Sequence, residues 1–549
     1  MKLRNKKILA FLMAAVMAVA MLAGCSSSSS TGTSTPADPA TPADSNTSGS
    51  EPAEFTYPMS GRELTYWTAL NENVASTYTE LGETPFGQGL QERTGVNITF
   101  LHPPTGGSDE QFSLIIADGD YPDLMEYHWQ SYSGGPEKAI ADGVIIELTD
   151  IIDQYCPNLK AYLESRPDVD LQCKTDEGHY YAFPFVRGDP ELQVTMGLFI
   201  RQDWLDDLDL EIPTTIDEWH DVLTAFKEEK GATAPFSYEF SMGSLTDNMP
   251  FAYAYDTCRT FYVGDDGKVH YGAVEEGYRK YLETMHQWYE EGLIDPDIAT
   301  ASFDQVSAKM AGGQAGASFG WAGSRMGVWT NAGIENDPNY DLQPCPYPGA
   351  EAGTTAKMGQ MDNICPNQGM VAITTSCKDV EAAARFLDWA YSEEGHMYYN
   401  FGTEGVSYTM ENGSPVYTDL LMNNPDGLAT GTVMTFYLRG NYNGPFVQDL
   451  RYLQQYYTLD GQKKSNATWT VPTADKYKLP PITPTSEESD EFSMIMNEVN
   501  NYRDEMTLKY ILGTESLDSF DDFVATMEKM GLDRAIDIQN AALDRYNAR

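Results

Sequence analysis

The sequence predicts an α/β protein of more than one domain. Three observations lead there. The chain has 549 residues, enough for two or three cores at roughly 100–200 residues per domain. Strand-like and helix-like patterns alternate from Gly61 onward. Its hydrophobic fraction of 41% and charged fraction of 21% are those of ordinary globular chains.

Taken in order, Glu63–Thr68 reads as a strand, Phe86–Arg93 as a short helix closed by Gly95, and Val96–Leu101 as a second strand. Asp109–Asp118 is a predicted helix ending at Gly119, and Leu124–Tyr127 a third strand after Tyr121-Pro122. This β-α-β-α-β order argues for a parallel sheet with helices on its faces. Further along, Thr215 and Glu218 have the spacing of a capping box, in which hydroxyl and carboxylate each satisfy an orphan N–H. Trp219, Val222, Leu223 and Phe226 then recur at helical spacing, as do Tyr278, Tyr281, Leu282, Met285, Trp288 and Tyr289 before Gly292 and Pro296. Such stripes are core-facing, and Trp219, Trp288 and Trp389 are read as packing residues. Ser376–Tyr391, Asp518–Met530 and a terminal helix running from Gly531 to Tyr546 repeat the pattern.

The first residues carry an address. Lys2, Arg4, Lys6 and Lys7 precede the apolar run Ile8–Leu22, the layout of an export signal and too short for a membrane stop. Leu22-Ala23-Gly24-Cys25 looks like a bacterial lipobox, which implies signal cleavage after residue 24 and a lipid on the Cys25 sulfur. Residues 25–56 are almost wholly Ser, Thr, Pro, Ala, Gly and acidic side chains, a flexible tether spanning about 30 Å at ~5–6 Å × √n.

Composition and motifs exclude several function classes. With 82 Asp+Glu against 35 Lys+Arg and a net charge of −47, the chain repels phosphate backbones and anionic lipid. No phosphate-binding loop is present, and none of the seven histidines sits four residues from another as a catalytic zinc would want. Gly316–Gly320 matches the G-x-S-x-G pattern around Ser318, yet Phe319–Gly323 is a poor helix start and His396 the only later histidine. Asp265-Asp266-Gly267, between two strand-like pieces, reads as a hairpin turn. Beyond Cys25 there are six cysteines without Cys-x-x-Cys spacing, and their pairing is left open.

Several segments together resemble a known family: Leu90–Val96, Ala117–Leu124, Gly178–Pro184, Phe199–Leu205 with Pro213–Thr215, Tyr289–Pro296, Asn400–Gly405 and Met527–Tyr546. With the lipobox and tether, they are similar to extracellular solute-binding proteins of the carbohydrate ABC importer group (family 1 type), in its long Gram-positive lipoprotein branch. The resemblance implies a two-lobe periplasmic-binding-protein-like fold (type II), with ligand held between lobes joined by crossing strands. It places lobe one at 57–186 and 368–430 and lobe two at 187–367 and 431–549. The first crossover falls near Phe183–Gly188, the return near Gly369–Thr374, and the C-terminal helices go with lobe two. It also implies a monomeric receptor, anchored outside the cell, that delivers an oligosaccharide to permease subunits with an ATPase and catalyses nothing. Some relatives carry a calcium loop in the second lobe; Lys230–Pro235 lacks its ligand set, so no metal and no cofactor are expected.

In open α/β sheets ligands sit beyond the carboxyl ends of strands. Three such ends carry a Trp with polar neighbours: Trp67 with Asn71, His128 with Trp129, and Trp321 with Arg325. Aromatic plates can cover the C–H face of a sugar ring while fixed donors and acceptors read its hydroxyls. These six residues, and Glu404 in the Gly402–Gly405 loop that resembles a hinge-side segment, are the expected ligand-binding set. The competing expectations are a surface-anchored polysaccharide hydrolase, or a lipoprotein binding a peptide or cationic solute drawn by the acidic surface.

Overall fold

The computed structural model describes residues 55–241 and 248–549. The export signal, Cys25 and the tether up to residue 54 lie outside the described residues. In chain order the strands are β1 (Arg62–Trp67), β2 (Val96–Leu101), β3 (Leu124–Tyr127), β4 (Val186–Arg187), β5 (Met196–Arg201), β6 (Phe261–Val263), β7 (Val269–Tyr271), β8 (Ala317–Trp321), β9 (Leu342–Cys345), β10 (Met370–Ile373), β11 (Tyr408–Glu411), β12 (Ser414–Tyr417) and β13 (Val447–Gln448).

The first sheet has the order β10-β3-β1-β2. As the β-α-β-α-β pattern predicts, β1 runs parallel to both β2 and β3. β10 enters from much later in the chain and pairs antiparallel to β3. The helices Pro85–Thr94 and Ser108–Asp118 cross between these strands, and each ends on a glycine at φ 73° (Gly95, Gly119), a left-handed stop that L side chains resist. At Gly95 a side chain would also strike the Met59 backbone. Along β2, Val96, Ile98 and Phe100 are buried while Asn97, Thr99 and Leu101 face out, the alternation of a half-covered strand.

The second sheet is antiparallel throughout. Its order is β8-β5-β9, with β5 antiparallel to both neighbours. All six residues of β5 are buried, so its apolar run carries no alternation and no local sign of partners more than a hundred residues away. The helix Asp460–Trp469 lies directly on it: the Trp469 ring occupies the space a side chain at Gly197 would need, and its Nε1 donates to Leu198 O at 2.8 Å. The capping box at Thr215 and Glu218 is present, and the stripes of Ile216–Glu229 and Glu276–Glu290 face this core as predicted. β6 and β7 form the predicted hairpin, with Gly267 at φ 74° in its turn.

The first sheet carries an apolar cluster on each face and the second sheet a larger one, and Thr56–Arg549 forms one compact unit around them. The segment after residue 400 touches more than one of these clusters. Phe401, Tyr417, Leu421, Val433 and Leu438 join the larger cluster, while Phe446 belongs to one of the first sheet's. The helix Thr430–Tyr437 also packs on Glu72–Ala75 and Pro85–Thr94, with Phe436 edge-on to Tyr78 at 5.1 Å. Nor do the C-terminal helices keep to one side. Ser486–Ile511 packs against Glu276–Glu290 and against Gly135–Ala141 near the first sheet. Below it, the buried Asp176 carboxylate holds Arg549 at 2.7 Å and Arg545 at 3.4 Å. Burial pushes the Asp176 carboxyl up to about 6, against the pull of both arginines.

Two expected ligand residues are core residues. Trp129 is fully buried; its Nε1 donates to Met125 O at 3.2 Å, folding the ring back under β3 among Phe112 and Tyr132. Trp67 is 3% exposed and packs on Phe112 and Tyr127. Trp129 opens the short 3-10 turn after β3, which swings its ring back under the sheet, and at the end of β1 both faces are covered, so Tyr66 and Trp67 are buried alike.

One buried ion pair organises this face. Glu126 of β3 accepts from Arg439 at 2.8 Å, and both side chains are less than a tenth exposed. The second Glu126 oxygen accepts from the Tyr66 hydroxyl at 2.8 Å, and Arg439 Nε donates to Asn443 O at 2.7 Å. Removing one partner strands a buried charge, at a cost of about 3–5 kcal/mol, whereas an apolar or neutral replacement of both is tolerated better. Arg439→Met should therefore lower unfolding free energy by ~3–5 kcal/mol in urea titration. The double variant Glu126→Gln/Arg439→Met should recover most of it; equal losses would mean that the pair is not the stabilising unit. Trp129→Ala should cost ~3–5 kcal/mol of stability as a cavity-forming change, while the folded fraction keeps its ligand affinity.

Candidate ligand cleft

Between the loops of the two sheets lies a cavity of about 1000 Å³, at the upper end of the ~300–1,000 Å³ usual for small-molecule sites. Its floor is built where the chain passes from one sheet to the other. β4, at the predicted first crossover, pairs parallel with β13, and Phe183 bridges to Val371. Arg187 on β4 joins three passing segments with one guanidinium: it donates to Gln448 Oε1 at 2.9 Å and to Asp362 Oδ2 at 2.7 Å, and its backbone N–H donates to Ile364 O.

The walls are aromatic and amide-rich. Nine aromatic side chains line the cavity among the described residues, including Trp321, Tyr442, Tyr452, Tyr456 and Tyr477, together with ten Asn and Gln. Many of these amides are fixed in place. Gln360 Oε1 accepts from Thr195 N–H at 2.8 Å, and its amide nitrogen donates to Asp362 and to Gln193 O. The Asn367 side chain accepts at Oδ1 from Gln130 N–H at 3.1 Å and donates to Ser131 Oγ, while its backbone carbonyl lies 2.6 Å from His128 Nδ1. Asn441 donates to Gly431 O, but its Oδ1 and that of Asn363 are buried without a hydrogen-bond partner. An unpaired buried acceptor costs ~1–3 kcal/mol. The Tyr456 ring lies between Gly323 and Gly431, where a side chain at either would come within about 3 Å of it. Burial raises the phenol pKa of Tyr452, Tyr456 and Tyr457, so all three remain neutral O–H groups.

Charge is sparse. Arg187, Asp362 and Lys478 are the charged Asp, Glu, Lys or Arg side chains lining the cavity among the described residues. Arg187 and Asp362 neutralise each other, and Lys478 pairs with Asp475 at 3.1 Å and reaches Asp362 O. A chain of net charge −47 therefore encloses a nearly neutral cavity.

Of the seven ligand residues expected from sequence, Asn71, His128 and Trp321 line this cavity. Asn71 also caps the helix Glu72–Ala75, accepting from Asn73 N–H at 2.9 Å. Arg325 lies outside the cavity wall: it is bound to Glu239 at 2.8 Å and stacked 4.0 Å over Phe303, with Trp321 at 5.6 Å. It thus supports Trp321 from behind. Trp67 and Trp129 are in the core, and Glu404 is an exposed residue away from the cavity. Sequence reasoning missed Asn441–Asn443, Tyr452, Tyr456, Tyr457 and Tyr477; the signal open to it was a run of aromatics and amides without helical period. Ser318, the centre of the G-x-S-x-G match, is buried inside β8, which continues to Trp321 instead of turning into a helix. Among the described residues, one group brings three metal-ligating side chains together, Glu137, Glu177 and His179, and it is not part of the cavity wall.

Comparison with known proteins agrees with this architecture. Residues 71–397 match the family described as "Bacterial extracellular solute-binding protein". The fructooligosaccharide ABC transporter substrate-binding protein FusA of Streptococcus pneumoniae is 26% identical over 494 residues, covering 84% of this chain and 87% of the relative. Lipoprotein LipO of Bacillus subtilis is 25% identical over 359 residues, 62% of this chain and 67% of its own. Among solved structures, the alginate-binding protein AlgQ2 without calcium superposes with a TM-score of 0.74 at 25% identity, over 88% of this chain and 98% of that one. FusA with kestose superposes at 0.70 and 24% identity, over 89% and 100%. The α/β architecture is that of these solute-binding proteins, and with more than half of its length matched, the chain belongs to the bacterial extracellular solute-binding protein family.

Proposed function

We propose that this protein is the receptor of an ABC importer for a neutral oligosaccharide, held in the cleft between two lobes. The composition of the cavity carries the reading. Aromatic faces supply the surfaces on which pyranose or furanose rings stack, each adding ~0.5–1.5 kcal/mol if aromatic pairs are a guide. Anchored amides and neutral phenols read hydroxyls. A cationic solute would meet one carboxylate, already bound to Arg187, and a glycosidase needs two carboxyl groups facing the scissile bond, where the described lining offers only Asp362. FusA and YtcQ, relatives named for fructooligosaccharide and for polygalacturonan or rhamnogalacturonan, support a saccharide as ligand.

In this reading the crossings at β4, β13 and residues 362–370 act as the hinge. Ligand bridges Trp321 and Tyr456 on one side to Asn71, His128 and Asn441 on the other. Binding then favours the shut form in proportion to its contacts with both lobes, and the permease with its ATPase recognises that form. The receptor is a monomer, tethered outside the cell through lipid on Cys25. It breaks no bond of its cargo and needs no cofactor.

Thermal unfolding with a panel of ligands tests this directly, since a ligand at 100 times its Kd stabilises by about 2.7 kcal/mol. Neutral tri- and tetrasaccharides such as kestose should raise Tm, while polyamines, peptides and uronate oligomers should not. A rise confined to a charged class, or appearance of cleaved sugar, overturns the proposal. With the sugar identified, Trp321→Ala should weaken calorimetric affinity at least tenfold, ~1.4 kcal/mol. Glu404→Gln, outside the cavity, should leave it unchanged.

A further inference from the structure

The segment that closes the cleft from behind carries a second feature. Asn363, Pro366, Asn367 and Gln368 line the cavity, and Cys365 in their midst points the opposite way, into the core of the first sheet. Its Sγ lies 3.2 Å from the Sγ of Cys173, the residue that ends the helix Pro167–Gln172. Both cysteines are free and buried. The approach is held from the backbone as well: Cys365 N–H donates to Gln172 Oε1 at 3.1 Å, so the two sulfur-bearing stretches are fixed against each other independently of the thiols. The remaining described cysteines are placed differently; Cys156, for example, donates to Ala384 O and Cys258 to Thr260 O.

We propose that Cys173 and Cys365 are joined by a disulfide in the mature protein, fixing the cleft-lining segment 363–368 to the first lobe. The sulfurs must close from 3.2 Å to the ~2.05 Å of a disulfide, a movement small side-chain rotations supply. In the reaction each thiol loses its proton, one S–S bond forms, and the two electrons and two protons reduce the disulfide of a thiol oxidoreductase on the outer face of the membrane to its dithiol. Burial raises the Cys173 thiol pKa, so the finished fold offers little thiolate, and the exchange belongs to folding after export. The cross-link spans 192 residues of sequence and therefore removes much freedom from the unfolded chain. Neither sulfur lines the cavity. The inference rests on the extracellular placement in the proposed function, since disulfides persist in oxidising compartments.

The test is peptide mapping of the exported full chain. Protein taken from the cell surface is denatured with iodoacetamide, digested without reductant and weighed. The expected result is a Cys173–Cys365 peptide pair in most molecules, two hydrogen masses lighter than the separate peptides, with dithiothreitol lowering Tm by several degrees. Cys365→Ser should already show the lowered Tm and no further response to dithiothreitol. Alkylation of both cysteines in most molecules overturns the proposal, as does a Tm indifferent to dithiothreitol in the parent. Parallel calorimetry with the stabilising sugar separates the two claims. Sugar binding with both thiols alkylated removes only the cross-link, while a linked peptide in a protein that binds no sugar removes only the receptor reading.

Discussion

One guanidinium holds the plan together. Arg187 sits on the crossing strand β4 and ties Gln448 and Asp362, so three separate passages between the sheets share a single cation. Its side chain is 11% exposed, and its Nε is buried without a partner. In such a setting the charge is neither fully solvated nor idle; it is compensated by Asp362 and oriented by the amide of Gln448. Because these passages form the floor of the cavity, the spacing of everything above them follows from how this contact is made. The ion pair of Glu126 and Arg439 does the same for the wall, setting the loop of Asn441–Asn443 against β3.

The contents of the cleft follow a consistent chemistry. Acceptors and donors that read hydroxyls must be stiff to discriminate, and the amides of Gln360 and Asn367 are stiffened by bonds to backbone and to neighbouring side chains. Aromatic plates must be reachable but supported. Trp321 is half-buried, carried at the end of β8 ahead of a single turn of π-helix, and backed by Arg325 through Glu239 and Phe303. A π-helical turn at that point is an irregularity of the kind that recurs at functional sites. Tyr456 is seated between two glycines, so a methyl group at either would displace the ring.

What could be read from the sequence was what is encoded within a few residues. The caps at Thr215 and Glu218, the glycine stops at Gly95 and Gly119, and the hairpin at Gly267 each need only local geometry, and each is present. The second sheet could not be read this way: β5 gains β8 and β9 from remote sequence, and a fully buried strand has no alternation to betray its partners. The site was half legible for a related reason. Trp129 just after β3 and Trp321 at the end of β8 both have polar company, but the indole of Trp129 turns back to Met125 O while that of Trp321 borders the cavity. Such a choice of side depends on what covers the sheet. Asn441–Asn443 and Tyr452–Tyr457 owe their place to the return of the chain through β13, which no short pattern announces.

The contrast between a heavily acidic exterior and an almost uncharged interior has a consequence for how the protein works in a changing medium. Dissolved salt screens forces between exposed charges over about 8–10 Å at physiological ionic strength, and those forces govern what gathers at the outer surface of this chain. They would hardly enter the capture of an uncharged oligosaccharide, the ligand proposed for this cleft, among phenols and amides. Retention of such a ligand would thereby be insulated from fluctuations in ionic strength, while any docking through the acidic faces would remain tunable by them.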